Sequence, residues 1–242
     1  MKNVNIAIVG KDVKVANAYL LVEEALKKAA SFAHLGIDIS WLDSHELNEN
    51  NVVDLLKGYD GIVVPGGFNY DGVEGMILAI RYARENRVPF FGICLGMQLT
   101  VIEYARNVAG LPLATSSEFD KDSLYKVIDR LPNLETGKLR EGTFVCDLNE
   151  DSLIEKCYQS LKINETFRHG YNFNNEYREL LANKGLILSA LSNEGQYVEA
   201  VELNNHPFYL GVQFHPEFNS PLDKPHPLFL CFIGAAFKNR KN

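Results

Sequence analysis

The chain has 242 residues, of which 46% are hydrophobic and 23% are charged, a composition that suits one globular domain over residues 1–242. Its formal net charge is −7 and it has no block of lysine or arginine, so we expect it to bind neither nucleic acid nor an anionic membrane. Its apolar runs are too short for a membrane span, and Met1–Gly10 predicts a strand rather than an export signal, so we expect a cytoplasmic protein. The four cysteines are too scattered to predict a disulfide framework or a zinc site, and we expect no metal.

Strand and helix patterns alternate through the first half of the chain. The predicted elements are strands at Val4–Gly10, Ile37–Trp41, Gly61–Val64 and Val88–Ile93, and helices at Val15–Phe32, Glu46–Lys57, Val73–Asn86 and Leu95–Ala109. Gly36 is predicted to end the first helix. The repeated β-α-β order predicts an α/β fold with three layers, in which helices cover both faces of a doubly wound, mostly parallel sheet.

The second half of the chain has shorter and more mixed patterns. The predicted strands are Leu124–Ile128, Thr143–Leu148, Thr166–Phe173, Leu186–Leu191, Tyr197–Leu203 and Tyr209–Phe214, followed by a helix at Leu228–Lys238. Ser192–Gly195 has the composition of a hairpin turn, which predicts a small antiparallel extension of the sheet. Apart from one short strand, the polar segment Thr115–Gly142 is predicted to be a loop.

Cys94 stands where a buried strand runs directly into a helix, between Gly92 and Gly96. Small residues on both sides permit a tight turn that presents the side chain above the carboxyl edge of the sheet, as in the nucleophile elbows of hydrolases. The positive end of the helix dipole favours the thiolate, which is the reactive form of cysteine. The segment therefore predicts a nucleophile, although most free cysteines are simply small buried hydrophobic residues.

Two other segments follow buried strands and open on the same predicted sheet edge. Gly66 and Gly67 come after the strand Gly61–Val64, and adjacent glycines leave backbone N–H groups free to bind an oxyanion. His215 and Glu217 come after the last strand and can supply a base and the carboxylate that orients it. Taken alone, a pair of glycines is more often a simple turn, and a segment such as the one with His215 and Glu217 is more often a surface loop. With Cys94, they predict a catalytic site at the edge where open α/β sheets bind ligands.

Several longer segments match the motifs of one enzyme family. They are Pro65–Phe68, Gly72–Gly75, Pro89–Leu99, Val101–Val108, Ser117–Phe119, Asn174–Arg178, Gln213–Phe218 and Pro225–Phe229. These segments resemble the class I glutamine amidotransferases, and most closely the glutaminase domain of CTP synthase, over nearly the whole chain. The resemblance implies a flavodoxin-like fold. It also implies hydrolysis of a side-chain amide through a γ-glutamyl thioester with release of ammonia, a half-reaction that needs no cofactor.

The resemblance also implies roles for individual residues. Cys94 matches the nucleophile, His215 the general base and acid, and Glu217 the residue that orients His215. The other matching positions form the oxyanion hole or bind the substrate: Gly66 and Leu95 for the oxyanion hole, and Gly67, Phe68, Gln98 and Glu118 for a glutamine-like amide. Because class I members commonly deliver ammonia to a synthetase, we expect a separate synthetase as a partner, unless the chain acts alone as an amidase.

Three segments depart from the family pattern. Asp71 stands where the family normally has an arginine, which reverses a charge in the loop after the glycine pair. Gly170 stands where the resemblance implies the arginine that binds the α-carboxylate of the substrate, one of the stronger polar contacts. Residues 136–142 keep a glycine-rich motif only in part. The basic residues that are candidates to replace the missing arginine are Arg140, Arg168 and His169.

Three functional classes compete for this sequence. The intact set of Cys94, His215 and Glu217 favours a cysteine-dependent hydrolase of glutamine or of another γ-glutamyl amide. Gly170 and Asp71 favour the alternative, a non-catalytic regulatory or binding module that kept the fold. A nucleotide-binding protein is disfavoured, because residues 66–72 form neither a P-loop nor a dinucleotide-binding fingerprint. We therefore predict the hydrolase.

Overall fold

Strands and helices alternate along this computed structural model, which describes residues 2–15, 17–132, 134–135, 137–219 and 224–240. The strands are β1 (Asn3–Gly10), β2 (Gly36–Asp43), β3 (Gly61–Val64), β4 (Phe90–Ile93), β5 (Thr115–Ser116), β6 (Lys126–Arg130), β7 (Arg140–Leu148), β8 (Lys162–His169), β9 (Tyr171–Phe173), β10 (Ile187–Ser192), β11 (Tyr197–Glu202) and β12 (Tyr209–Val212). The helices are α1 (Leu20–Phe32), α2 (Val52–Leu56), α3 (Val73–Asn86), α4 (Leu95–Asn107), α5 (Leu153–Tyr158), α6 (Arg178–Asn183) and α7 (Pro227–Asn239). Within the described ranges, no helix has both the length and the apolar character needed to cross a bilayer.

Nine of the strands form one sheet in the order β2-β1-β3-β4-β12-β11-β10-β7-β8, and β5, β6 and β9 form a second sheet. The five strands from β2 to β12 pair in parallel, in the flavodoxin-like order 2-1-3-4-5. The remaining four pair antiparallel. The predicted fold class is confirmed, and the antiparallel extension is larger than the sequence patterns indicated.

Helices cover both faces of the parallel strands. On one face α3 packs against α4, over a core that includes Val64 and Leu99. On the other face α1 packs against α7, over a core that includes Ile8 and Phe232. Strands that are buried on both faces have continuous apolar sequences, which is why the fully buried run Gly61–Val64 was recognisable.

The predicted first helix begins later than its apolar pattern indicated. α1 starts at Leu20 instead of Val15. Before it the chain makes a turn, in which the backbone N–H of Asp12 donates to the hydroxyl of Tyr19 at 2.9 Å. The predicted helix Glu46–Lys57 is likewise reduced to a 3-10 turn ending at Glu46 and the short α2. In both places, contacts with other residues hold the chain in a turn, although the local apolar pattern would permit a helix.

The prediction that Gly36 ends the first helix is wrong. His34 is the left-handed residue after α1, with φ 56°, and Gly36 is the first residue of β2. A Cβ on Gly36 would lie only 2.0 Å from Oδ1 of Asn3 in the neighbouring strand. Gly36 therefore belongs to the pairing of β1 with β2, where the side chain of Asn3 lies against it.

The predicted strand Thr166–Phe173 is two strands in different sheets. β8 ends at His169 in the large sheet, and β9 begins at Tyr171 in the small one. Gly170 lies at the junction. The segment Thr115–Gly142, which was predicted to be mostly loop, contains β5 and β6, while its residues 133 and 136 lie outside the described residues.

Candidate active site

The carboxyl ends of three neighbouring parallel strands form the candidate site. β3 ends at Val64, β4 at Ile93 and β12 at Val212, and these strands lie side by side in the sheet. The segments that begin with Pro65, Cys94 and Gln213 therefore leave the sheet at one edge. This arrangement confirms the prediction that the three segments open on the same side.

Cys94 occupies a strained turn between β4 and α4. Its φ is 52° and its ψ is −103°, in the left-handed half of backbone space that side chains other than glycine rarely adopt. The backbone N–H of Cys94 donates to the carbonyl of Val212 at 2.7 Å, which ties the turn to β12. Strain of this kind costs about 1–3 kcal/mol and clusters at functional sites.

The glycines around Cys94 are required by close backbone contacts. A Cβ on Gly96 would lie 2.1 Å from the carbonyl oxygen of Val64, and a Cβ on Gly92 would lie 2.8 Å from the backbone of Gly96. Because backbone atoms cannot give way like a flexible side chain, either substitution would push β3, β4 and α4 apart. The prediction that small residues permit this tight turn is confirmed.

The strained turn predicts an unusual order of stability between two variants. We expect Cys94→Gly to be about 1 kcal/mol more stable than Cys94→Ala, because glycine adopts these dihedral angles without steric cost. Both variants remove the same sulfur atom, so they differ only in the Cβ, whose loss relieves the strained dihedral angles at the cost of a small buried contact near Gly66. Urea denaturation gives the two free energies of unfolding. Equal stability, or a less stable Cys94→Gly, would contradict strain at this residue.

His215 lies between Cys94 and Glu217. Its Nδ1 atom is 2.7 Å from Oε1 of Glu217, and its ring stacks on Phe218 with 4.6 Å between the ring centres. A Cβ on Gly66 would lie 3.1 Å from Cε1 of His215 and 3.5 Å from Cβ of Cys94. The absence of a side chain at Gly66 therefore leaves the space in which Cys94 and His215 face each other.

The charge on His215 is set by the two residues beside it. Burial lowers the pKa of His215, but the hydrogen bond and charge of Cys94, together with Glu217, outweigh burial and raise that pKa to about 10. The raised pKa favours the imidazolium form of His215, which places a positive charge beside Cys94. The N–H group at Nδ1 of His215 points at the carboxylate of Glu217. Nε2 is therefore the ring nitrogen that remains to exchange protons with other groups.

The loop after β3 is held from two sides. Nζ of Lys11 donates to the carbonyl of Phe68 and, at 3.1 Å, to that of Asn69. Oε1 of Glu118 accepts the backbone N–H of Asn69 at 3.0 Å. A Cβ on Gly67 would lie 3.2 Å from Leu95. The structure thus brings Gly66, Gly67, Phe68, Leu95 and Glu118 to the same rim as Cys94.

Gln213 is a residue of this site that the sequence analysis did not single out. It is fully buried, and its Nε2 atom donates to Sγ of Cys94 at 3.7 Å. Its Oε1 atom accepts from Nε2 of Gln98 at 3.2 Å, and Gln98 also donates to the carbonyl of Tyr171 at 2.9 Å. Gln213 therefore links the thiol to the predicted substrate-binding residue Gln98. Its position in the motif before His215 was the available signal.

None of the three proposed replacements for the missing arginine projects a free cation at position 170. Arg168 pairs with Glu141 at the surface at 2.8 Å, and Arg140 pairs with the buried Glu199 at 2.7 Å. His169 is buried, and burial lowers its pKa to about 3, so its ring is neutral. These three side chains are engaged in contacts that hold the antiparallel strands.

Arg130 is the guanidinium that the structure places beside Gly170. Its Nη1 atom lies 3.8 Å from the position of a Cβ on Gly170, and its guanidinium lies 5.8 Å from the centre of the Tyr171 ring. Another of its nitrogens, Nη2, donates to the carbonyl of Glu135 at 2.5 Å. No sequence motif pointed to Arg130, because the contact depends on how β6 pairs with β9.

Asp71 is paired within its own neighbourhood. Its carboxylate lies 3.0 Å from Nε2 of His45, and Nδ1 of His45 lies 2.6 Å from Asp43, which also pairs with Lys14 at 2.8 Å. Hydrogen bonds with Asp43 and Asp71 raise the pKa of His45. The carboxylate at position 71 is thus paired with a local histidine, and this contact holds the loop after the glycine pair.

Comparison with known proteins places this geometry in a family. The model of the class I glutamine amidotransferase family matches residues 14–235. CTP synthases of Ruminiclostridium cellulolyticum and Carboxydothermus hydrogenoformans are 48% and 49% identical to the chain over 98% of its length. The chain spans 45% of each of these relatives. The glutaminase domain of Trypanosoma brucei CTP synthase, solved with bound acivicin, superimposes with a TM-score of 0.92 at 36% identity, covering 99% of this chain and 96% of that domain.

Proposed function

This chain belongs to the class I glutamine amidotransferase family, and we propose that it hydrolyses glutamine or a related γ-glutamyl amide through a thioester on Cys94. One observation carries the proposal: a cysteine in a strained elbow faces His215, whose other ring nitrogen is 2.7 Å from Glu217. Nucleophile, base and orienting carboxylate are the three parts that covalent acyl transfer requires.

The proposed reaction has two stages. The Cys94 thiolate adds to the side-chain carbonyl carbon of the substrate, and the C–N electron pair leaves with nitrogen as the His215 imidazolium protonates it, which releases ammonia. Neutral His215 then takes a proton from water, and the water oxygen attacks the thioester carbon. The C–S bond breaks, glutamate leaves after losing its proton to solvent, and the thiolate and imidazolium are restored.

The backbone N–H groups of Gly66 and Leu95 are proposed to bind the oxyanion that forms at each addition step. Leu95 is the first residue of α4, so its N–H has no partner within the helix and lies at the positive end of the helix dipole. Gly66 comes directly after Pro65 in the loop that Lys11 holds. Donors that are fixed in place before charge develops are commonly the largest single contribution to catalysis of this kind.

Residues farther from Cys94 are proposed to hold the amino-acid end of the substrate. Gln98 and Glu118 supply a side-chain amide and a carboxylate at the rim, and Gly67 and Phe68 supply its wall. A carboxylate at this rim suits the α-ammonium group of an amino acid. We propose that Arg130, whose guanidinium lies beside Gly170, binds the α-carboxylate.

The released ammonia is proposed to pass to a separate synthetase when one is bound. The relatives that match the chain are CTP synthases, and the chain covers the part that corresponds to a solved glutaminase domain. The competing function is a non-catalytic regulatory or binding module, which Gly170 favours because a substrate carboxylate would lack its usual partner there.

Selective alkylation of Cys94 tests whether the site is active. We expect iodoacetamide at pH 7 to modify Cys94 faster than the other cysteines, because the His215 imidazolium favours its thiolate. Burial raises the pKa of Cys146, and a hydrogen bond from Cys157 lowers the pKa of Cys231, so Cys231 is the competitor to resolve. Peptide mass spectrometry gives the rate for each cysteine.

The same alkylation experiment identifies the ligand class. Glutamine, or acivicin, which the Trypanosoma brucei domain binds, is expected to slow alkylation of Cys94 and to leave alkylation of Cys231 unchanged. His215→Asn is expected to slow the reaction of Cys94 alone. A Cys94 that reacts no faster than Cys146 would contradict the proposed hydrolase and support the binding module.

A further inference from the structure

A second buried cluster of polar side chains lies behind the proposed catalytic residues. Glu165, on β8, is 3% exposed, and its Oε1 atom accepts from the hydroxyl of Tyr158 at 2.6 Å and lies 3.0 Å from Nε2 of His226. Its Oε2 atom accepts from Nδ2 of Asn219 at 2.7 Å. The carboxylate therefore joins α5, β8, the turn that ends at Asn219 and the start of α7.

The proton on His226 can be assigned from its second contact. Nδ1 of His226 accepts the backbone N–H of Leu228 at 3.3 Å, since His226 caps the N-terminus of α7. Nε2 is therefore the ring nitrogen that donates to Glu165. Three donors converge on one buried carboxylate, so the loss of its charge would disturb all three.

The cluster is attached to the turn that carries Glu217. This 3-10 turn runs from Pro216 to Asn219, and Oδ1 of Asn219 accepts from the hydroxyl of Thr166 at 3.0 Å. The carbonyl of Thr166 accepts the backbone N–H of His215 at 2.8 Å. Adjacent residues of β8 thus hold the turn at both ends, through the backbone at His215 and through side chains at Asn219.

Glu217 depends on this turn for its position. Its Oε1 atom lies 2.7 Å from His215, while among the described residues its Oε2 atom has no hydrogen-bond partner. The carboxylate is therefore oriented mainly by the backbone that carries it. We propose that Glu165 is a positioning residue, which fixes the Pro216–Asn219 turn through Asn219 and so aligns Glu217 with His215.

This inference rests on the proposed roles of His215 and Glu217, but its first test does not need catalysis. In the full chain, the proton on Nδ1 of His215 is expected to give a downfield NMR resonance, and His215→Asn identifies this resonance by removing it. The pKa of His215 is measured from the same nitrogen-labelled ring. Asn219→Ala removes the contact with Glu165 while Thr166 still holds His215.

We expect Asn219→Ala to broaden or abolish the His215 resonance and to lower the pKa of His215 by about 1 or more. The reason is that the carboxylate of Glu217 would no longer be aligned with Nδ1 of His215. Where ammonia release is measurable, kcat is expected to fall about 100-fold with KM unchanged, as a small misplacement of a catalytic group does. Glu165→Gln is expected to weaken the His215 resonance and lower the pKa of His215 as well, since the new side-chain NH₂ group would face the NH₂ group of Asn219.

Asn174→Ala is the matched control. Asn174 also holds a 3-10 turn, accepting the backbone N–H of Glu176 at 3.1 Å and donating to the carbonyl of Lys126 at 2.8 Å. We expect this variant to leave the His215 resonance and pKa unchanged. A folded Asn219→Ala with an unaltered His215 would overturn the inference. A wild type that shows the resonance but releases no ammonia from any γ-glutamyl amide would contradict only the proposed function.

Discussion

Replacing Cys94 by alanine is expected to lower the rate of ammonia release from glutamine by about 10⁴-fold or more, because loss of a covalent nucleophile disables the whole catalytic unit. Alanine keeps the Cβ that packs near Gly66 and keeps the strained dihedral angles of the elbow. The fold of the site is thus retained while its sulfur is lost. The measurement is equimolar release of ammonia and glutamate from L-glutamine.

Cys231→Ala is the control for this loss. Cys231 is a half-buried free thiol on α7, and it has no proposed role in the reaction. We expect this variant to keep the wild-type rate. Ammonia release that survives in Cys94→Ala would contradict the thioester mechanism. No release by the wild type, together with fast and selective alkylation of Cys94, would point to another amide or to a required synthetase.

The sequence predicted those elements whose signals are local. The predicted helix Val73–Asn86 has the bounds of α3, and the predicted strand Gly61–Val64 has the bounds of β3. Each is defined by an apolar pattern that lies within its own residues. The approximate place of the site followed as well, because residues after buried parallel strands share one edge of the sheet.

These local patterns could not predict contacts between segments that are far apart in the sequence. Gln213 donates to Cys94 and Arg130 lies beside Gly170 because of the order in which strands pair, which no local pattern encodes. The start of α1 was misplaced for a related reason. The apolar spacing alone permits a helix before Leu20. The hydrogen bond between Tyr19 and Asp12 holds these residues in a turn instead.

Restoring an arginine at position 170 is expected to improve glutamine hydrolysis. A Cβ on Gly170 would lie 3.4 Å from Leu139 and 3.7 Å from the carbonyl of Lys138, which are ordinary contacts, and φ of Gly170 lies outside the left-handed region. A larger side chain can therefore begin there without strain. We expect Gly170→Arg to lower KM for glutamine about 10- to 100-fold, the worth of a hydrogen-bonded charge pair.

The turnover number is expected to change little in Gly170→Arg, because the α-carboxylate does not react and is bound alike in substrate and transition state. Gly170→Ala controls for the loss of glycine, and steady-state kinetics give KM and kcat for each variant. An unchanged KM in Gly170→Arg would mean that the true substrate has no free carboxylate at this place. That outcome would favour a γ-glutamyl amide whose carboxylate is blocked.

Combining Gly170→Arg with Arg130→Ala decides which guanidinium holds the carboxylate. In the wild type, Arg130→Ala is expected to raise KM for glutamine about 10-fold, the lower end of the range for a charged hydrogen bond. In the Gly170→Arg background the same change is expected to have little effect, because the new side chain takes over the contact. Two residues that serve one ligand group are non-additive in this way. Additive effects would mean that Arg130 and the side chain introduced at position 170 do not serve the same ligand group.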